Sequence, residues 1–406
     1  MILVIEMIKR ERYLKKIRSF YNDTSLIKIL YGLRRSGKSV LLTQIIDEIK
    51  ENKVDDDHII YINFESLDFS FIKNAKDLDT YLKEKISDND IYYVFLDEIQ
   101  NVENFEKAIN SLRITNHFSI FITGSNSRMT FVELSSELSG RYVSFKVNPL
   151  SFKEAVLLNN TKKDDYESLL FDIFEKGSLP QRFMYDNNTA VANYITDIYN
   201  SIVLKDVVER LGIKDVTSFN KILQYLLNTE GKEFSASNVL EYLSKEGSEV
   251  STQTLYTYLD TLCSVFIINK VYRYDIKGKT ILKTLNKFYV SDLGIKRIKT
   301  TSEETNYSIS FESIIYNELI NKGYEVYIGK TNNGEIDFVV KKDNKIKYIQ
   351  VSLYLNEEKT INREFGAYDS IKDNYPKYVI SLDKEDKSRN GIKHIYAIDF
   401  LMDEDF

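Results

Sequence analysis

The residues with the most chemical content are Gly32-Leu33-Arg34-Arg35-Ser36-Gly37-Lys38-Ser39. Two glycines flank four residues, and a lysine and a hydroxyl follow, which is the G-x-x-x-x-G-K-[ST] spacing of a phosphate-binding loop. The glycines let the backbone curl so that its N–H groups face a phosphate. Lys38 neutralises β- and γ-phosphate oxygens, and the Ser39 hydroxyl binds Mg²⁺. Gly32, Arg35, Ser36, Gly37, Lys38, Ser39 and Val40 are therefore the expected nucleotide-binding set, with ATP as the ligand. A second group follows at Ile91-Tyr92-Tyr93-Val94-Phe95-Leu96-Asp97-Glu98, an apolar strand ending in two carboxylates. Asp97 is expected to hold Mg²⁺ through water, and Glu98 to polarise the water that attacks the γ-phosphate. Thr123-Gly124-Ser125-Asn126 ends the next strand, where Ser125 or Asn126 can reach the γ-phosphate or orient the lytic water. Arg141 follows Leu138-Ser139-Gly140, at a place where an arginine points out of its own subunit. In a ring it would reach a neighbour's γ-phosphate and stabilise transition-state charge, as arginine fingers do.

The elements that position these groups can be read from the apolar pattern. Residues 27–31 form a buried strand leading into the loop, and residues 40–49 a helix with apolar side chains at 41, 42, 45, 46 and 49. The N-terminus of that helix directs partial positive charge at the phosphates. Further strands are expected at 59–64, 91–96, 119–123 and 142–147, alternating with helices, which means an α/β fold around a mostly parallel sheet. Residues 151–212 read as helices, an expected lid. Residues 213–300 read as three helices and a hairpin, and the last hundred residues as mixed α and β. The polar stretch 299–306 is the expected joint.

Composition narrows the class. The chain has 406 residues, 43% hydrophobic and 13% aromatic, which is a globular composition with room for about two or three domains. A net charge of −6 excludes a surface coated throughout in nucleic acid and leaves a single basic face open. Cys263 is the one cysteine, so neither an intramolecular disulfide nor a thiolate metal cluster is possible, and a reducing cytoplasm is expected. His58, His117 and His394 are too scattered for a metal site. The apolar start of the chain lacks a basic leader, and no run reaches the ~18 apolar residues that span a bilayer, so no membrane partner is expected.

The ordered set 32–39, Asp97-Glu98-Ile99-Gln100, Thr123-Gly124-Ser125, Gly140-Arg141 and Pro149-Leu150-Ser151-Phe152 resembles a prokaryotic AAA-type ATPase. The subgroup it is similar to carries a winged helix and a restriction-endonuclease-like domain after the ATPase core. Arg34-Arg35 and Gln100 belong to that subgroup's pattern, and Gly177-Ser178-Leu179-Pro180 and Lys205-Asp206 resemble its lid landmarks. The resemblance implies an ATPase core over 1–150, a helical lid over 151–212, a winged helix over 213–300 and a restriction-endonuclease-like domain over 301–406. In the winged helix, 219–227 and 236–243 would be the first two helices. Residues 251–259 would be the recognition helix, capped by Ser251, and Lys277-Gly278-Lys279 the turn of the wing. This region holds 13 Lys and Arg against 9 Asp and Glu. Lys277, Lys279 and Lys283 are placed to meet phosphates, and Thr252, Gln253 and Tyr256 to face a groove of duplex DNA.

The last domain carries an altered pattern. Restriction-type nucleases bind Mg²⁺ with a helix Glu, a strand Asp and a following [DE]-x-K, whose lysine steadies the attacking hydroxide or the phosphate. Glu312 and Asp337 match, but Gln350-Val351-Ser352 replaces the [DE]-x-K element. Gln350 offers one neutral oxygen and Ser352 no positive charge, so a catalytically degraded site is expected unless Lys341 or Lys347 substitutes in space. Three functions compete. The first is an oligomeric ATPase acting on DNA or a DNA-bound complex, with Arg141 in trans. The second is a nucleotide-gated switch that docks a protein, and the third an ATP-dependent nuclease.

Overall fold

A computed structural model of the chain describes residues 8–124, 138, 140–209, 212–299, 307–331 and 334–406, with Lys205 and Glu209 described by their backbone alone. It divides into two compact units, Met1–Pro149 with Ser264–Phe266, and Leu150–Cys263 with Ile267–Phe406.

The first unit is built on five strands, β1 (Ile27–Tyr31), β2 (Ile59–Asn63), β3 (Tyr92–Asp97), β4 (Phe118–Gly124) and β5 (Tyr142–Lys146). Their order is β2-β3-β4-β1-β5, and every pairing is parallel. Strands covered on both faces should be apolar at consecutive positions, and β3 and β4 are buried at every residue. Alternation sends their side chains to two cores. Val94, Leu96, Ile120 and Ile122 pack under α3 (Ala75–Lys83) and α4 (Phe105–Ile114) with Leu78, Leu82, Ile109 and Leu112. Tyr93, Phe95 and Phe121 face α1 (Glu11–Ile17) and α2 (Lys38–Glu51) with Leu14, Ile17, Leu41 and Ile45. Phe95 and Phe121 are register partners, and their rings stack at 4.8 Å. Because all five strands run one way, the C-terminal ends of β1, β3 and β4 share an edge, where ligands bind in open α/β sheets.

The second unit opens with α5 (Phe152–Leu158), α6 (Tyr166–Lys176) and α7 (Asn188–Ser201), which continues as a π-helix over Ile202–Glu209. Ser151 caps α5 in a reciprocal capping box with Glu154. The landmark at Ser178 has a structural role: its N–H donates to the buried Asp292 carboxylate at 2.6 Å, as does the Gly294 N–H at 2.9 Å. Three helices follow, α8 (Val216–Asn228), α9 (Ala236–Lys245) and α10 (Thr252–Ser264), then the hairpin β6 (Ile268–Asp275) and β7 (Thr280–Val290). Ser251 caps α10 by accepting the Thr254 N–H. The remaining elements are α11 (Leu293–Lys299), α12 (Tyr307–Asn321), β8 (Glu325–Lys330), β9 (Glu335–Lys342), β10 (Lys345–Val351), α13 (Glu358–Gly366), β11 (Lys377–Ser381), β12 (Lys393–Tyr396) and α14 (Ala397–Met402).

The hairpin is not a free-standing wing. β6 pairs in parallel with β8 at Arg273, Tyr274 and Asp275, and the seven strands form one mixed sheet ordered β12-β11-β10-β9-β8-β6-β7. The segments 213–300 and 301–406 thus share a sheet, although the composition around 299–306 reads as a joint. Main-chain pairing leaves no mark in composition. Among the described residues, no helix is long and apolar enough to cross a membrane.

Candidate nucleotide site and a second acidic centre

The phosphate loop joins β1 to α2. Gly37 sits at the start of α2 with φ 97° and brings no capping side chain, so the first-turn N–H groups stay directed at the loop. Lys38 is 4% exposed, and its ammonium donates to the carbonyls of Gly32 (3.1 Å) and Leu33 (3.0 Å), closing the loop over itself. Ser36 is buried, Arg35 and Ser39 are exposed, and Val40 lies in the first turn of α2. Arg34 pairs with Glu65 at 3.3 Å.

Asp97 ends β3 with its carboxylate 1% exposed. Among the described residues its side-chain partners are two hydroxyls: Tyr61 donates to Oδ2 at 3.1 Å, and Thr123 donates to Oδ1. The same Thr123 hydroxyl accepts the Glu98 N–H at 2.9 Å, so one side chain fixes both acidic residues. Glu98 takes a left-handed backbone, φ 56°, which is uncommon for a residue with a Cβ and marks a turn held by its surroundings. Gln100, itself buried, donates its amide to the Glu98 carboxylate. Ser39 and Asp97 offer the hard oxygen donors that suit Mg²⁺, and among the described residues the side-chain partners of Asp97 are neutral hydroxyls and no ammonium or guanidinium, so the residues fit the ion. Arg141 is exposed and donates to Asn110 of α4 at 3.1 Å. Asn126 and Ser125 lie outside the described residues.

The nuclease-like residues form a centre of another kind. Gln350 at the end of β10 accepts the Asp337 N–H at 2.7 Å, and the Asp337 carboxylate accepts the Val351 N–H at 2.8 Å, binding β9 to β10 side by side. Gln350 also donates to Glu364 of α13 at 2.9 Å. Lys287 of β7 is 7% exposed, pairs with Glu335 and stands 4.0 Å from Glu312 of α12. Burial lowers the affinity of this ammonium for its proton, but Glu312 and Glu335 outweigh it and hold the pKa above the usual lysine value. Burial lifts the Asp337 carboxyl well above the ordinary carboxylate range, with Glu312 adding repulsion; burial likewise lifts Glu312. The resemblance implies a divalent cation here, and these residues do not fit one. The protein's own ammonium lies among the carboxylates, and both ends of the Gln350 amide are engaged.

Lys341 and Lys347 do not supply the missing charge. Lys341 lies over the Tyr274 and Tyr327 rings, and Lys347 over Tyr324 and Phe406. The cation comes instead from the hairpin, as Lys287. Its signal was only an isolated lysine in an apolar strand end, Asn286-Lys287-Phe288-Tyr289-Val290.

A five-stranded parallel sheet in this order, with a phosphate loop after β1 and an acidic pair after β3, is the P-loop fold of AAA type. A profile described as "AAA domain" matches residues 24–156, and one described as "Domain of unknown function (DUF8612)" matches residues 167–304. An uncharacterized protein of Haemophilus influenzae is 37% identical over 403 residues, which is 98% of this chain and 99% of that one. An uncharacterized protein of Methanocaldococcus jannaschii is 30% identical over 392 residues, 91% of this chain and 84% of that one. Among solved structures, the Walker-type ATPase PABY2304 of Pyrococcus abyssi has a similar fold, with a TM-score of 0.50 and 15% identity over 72% of this chain and 95% of that chain. The chain belongs to the family it shares with the Haemophilus and Methanocaldococcus proteins, a family of AAA-domain proteins.

Proposed function

We propose that the chain binds Mg²⁺–ATP at residues 32–40 and hydrolyses it, with Glu98 polarising the attacking water. The observation that carries this reading is the placement of Lys38, Asp97 and Glu98 at the C-terminal edge of one parallel sheet. In this reading the Lys38 ammonium leaves the loop carbonyls for the β- and γ-phosphate oxygens, while the α2 N-terminus and loop N–H groups bind the remaining negative charge. Mg²⁺, held by Ser39 and Asp97, would supply charge neutralisation across the phosphates. Glu98 is held for its task by Thr123 at the backbone and Gln100 at the carboxylate. Equilibrium binding of a fluorescent ATP analogue to Lys38→Ala tests the site: loss of tight binding supports it, and unchanged binding with unchanged turnover would sink it.

Exposed Arg141 supports an oligomer in which it acts on a neighbour's nucleotide. Mixing Arg141→Ala with Glu98→Gln chains should restore part of the turnover, and no recovery at any ratio would leave Arg141 a local ligand of Asn110. A DNA-directed role rests on the middle of the second unit, which we read as a winged helix after a helical lid and before a restriction-endonuclease-like segment. Thr252, Gln253 and Tyr256 are exposed on α10, and Lys277, Lys279 and Lys283 on the hairpin. Phosphate contacts release counterions, so turnover should rise with duplex DNA and the rise should fade with salt. A rate indifferent to DNA would favour the protein-docking switch.

A further inference from the structure

We infer that Arg10 is a positioning residue that ties the phosphate loop to the point where the chain leaves the nucleotide unit; this rests on the ATP reading above. Arg10 precedes α1 and is 2% exposed. Its guanidinium donates to the Ser36 carbonyl of the loop at 2.8 Å and, from both terminal nitrogens, to the Asn148 carbonyl at 3.2 Å, with Pro149 O at 3.5 Å. Pro149 is the last residue of the first unit before Leu150 opens the second. The Tyr13 ring lies 4.7 Å from the guanidinium, and the Tyr13 hydroxyl accepts the Asn148 N–H at 3.0 Å. α2 clamps the same segment from the other side. The Gln44 amide accepts the Arg10 N–H at 3.0 Å and donates to Ile8 O at 2.7 Å.

A second contact runs in parallel. A Cβ on Gly32 would lie 2.2 Å from the Val147 carbonyl, so the first loop residue is pressed against the end of β5. A guanidinium is planar and presents its donors in a fixed fork, so the carbonyls it holds keep their mutual spacing. Leaving one of those buried donors unpaired is costly, so the Ser36 and Asn148 carbonyls move together or not at all. Any change of the loop on taking up phosphate is therefore passed to residues 148–149. Arg10 touches no reacting atom; it sets the loop and relays its state.

Hydrogen exchange of the full chain, with and without a non-hydrolysable ATP analogue and Mg²⁺, tests the relay. In the wild type the analogue should slow exchange in peptides covering 32–40 and 147–150. In Arg10→Gln it should slow the first and leave the second unchanged, with nucleotide Kd raised by about tenfold. Arg10→Lys keeps the charge without the fork and should show a partial response at 147–150, which guards against misfolding of the glutamine variant. An undiminished response at 147–150 in both variants would overturn the relay alone. A wild type that binds no nucleotide would overturn the ATP reading and the relay with it.

Discussion

Each unit buries a lysine beside its sheet, and the two are treated in opposite ways. Lys28 of β1 is wholly buried against the Phe121 ring and donates to neutral oxygens, Asp23 O at 2.6 Å, Leu26 O at 3.1 Å and the Ser119 hydroxyl at 2.8 Å. Burial brings its pKa down to about 7, with Asp23 resisting. Lys287 of β7 stands among Glu312, Glu335 and Asp337, which hold its proton more tightly than water does. The carboxylates show the same contrast. The described side-chain partners of Asp97 are two neutral hydroxyls, whereas Asp337 belongs to a cluster that already holds the Lys287 ammonium. An acidic group near a strand end can thus serve a metal only where the fold withholds its own cation.

The sharpest way to break this contrast is at the carboxylates. Glu98→Gln should retain ATP binding and lose turnover by about 10²- to 10⁴-fold, the usual contribution of a general base. Equal loss in Asp337→Asn, in the same steady-state ATPase assay, would show that the second centre is not inert; no change is expected there. Next in size, Lys287→Met leaves Glu312 and Glu335 without their ammonium and should cost about 3–5 kcal/mol in urea unfolding, as removal of one partner of a buried pair does. Mn²⁺ should raise the melting temperature of that variant and not of Lys287→Met/Asp337→Asn, because an emptied cation position becomes open to a metal.

Lys28 gives an effect of defined sign. In the unfolded chain the amine keeps its proton to about pH 10.5, while in the fold it gives it up near 7. The unfolded state binds more protons across that interval, so stability should climb between pH 7 and 10. Lys28→Met should flatten that slope in melting curves. The smallest effect separates the units under acid. Glu48 of α2 is held at a pKa of about 2, first by Arg18 and then by Lys9 and Tyr21. Its contribution is complete above the ordinary 4.5 and is lost as pH falls toward 2. Asp337 runs the other way: its folded pKa is raised, so its cost grows as pH rises above 3.8 and is relieved on acidification. Exchange at pH 3 should therefore loosen the α1–α2 contact before the β9–β10 pair, and the reverse order would refute the assignment.

Most of the first unit was legible in the sequence because parallel strands buried on both faces are continuous apolar runs. Residues 27–31 are β1 as read, and the other four strands differ from their expected ends by a residue or so. The phosphate loop and Asp97-Glu98 stood out because they interrupt such runs at fixed places. Their supports did not. Tyr61, Thr123, Gln100, Arg10 and Gln44 are ordinary residues until the fold brings hydroxyls and amides within reach. The second centre was half legible. Glu312, Asp337 and Gln350 follow a known order, but Lys287 and Glu364 arrive from β7 and α13, elements outside that order. Nearness in sequence pointed to Lys341 and Lys347 instead. Strand geometry carries those two ammonium groups onto aromatic rings, where sequence distance has no bearing.

The shared sheet also governs the order in which the chain can assemble. β6 leaves the ribosome well before β8, so the hairpin waits with one edge open until Ile328, Gly329 and Lys330 arrive to close it. An open edge recruits any passing strand, and exposed Tyr272, Ile281 and Leu285 lie on the hairpin that waits. A fragment starting at residue 301 would inherit the complementary fault, a bare β8 edge, and should aggregate where a fragment starting at residue 150 stays dispersed. What reads as two modules along the chain is one sheet that must be completed as a whole.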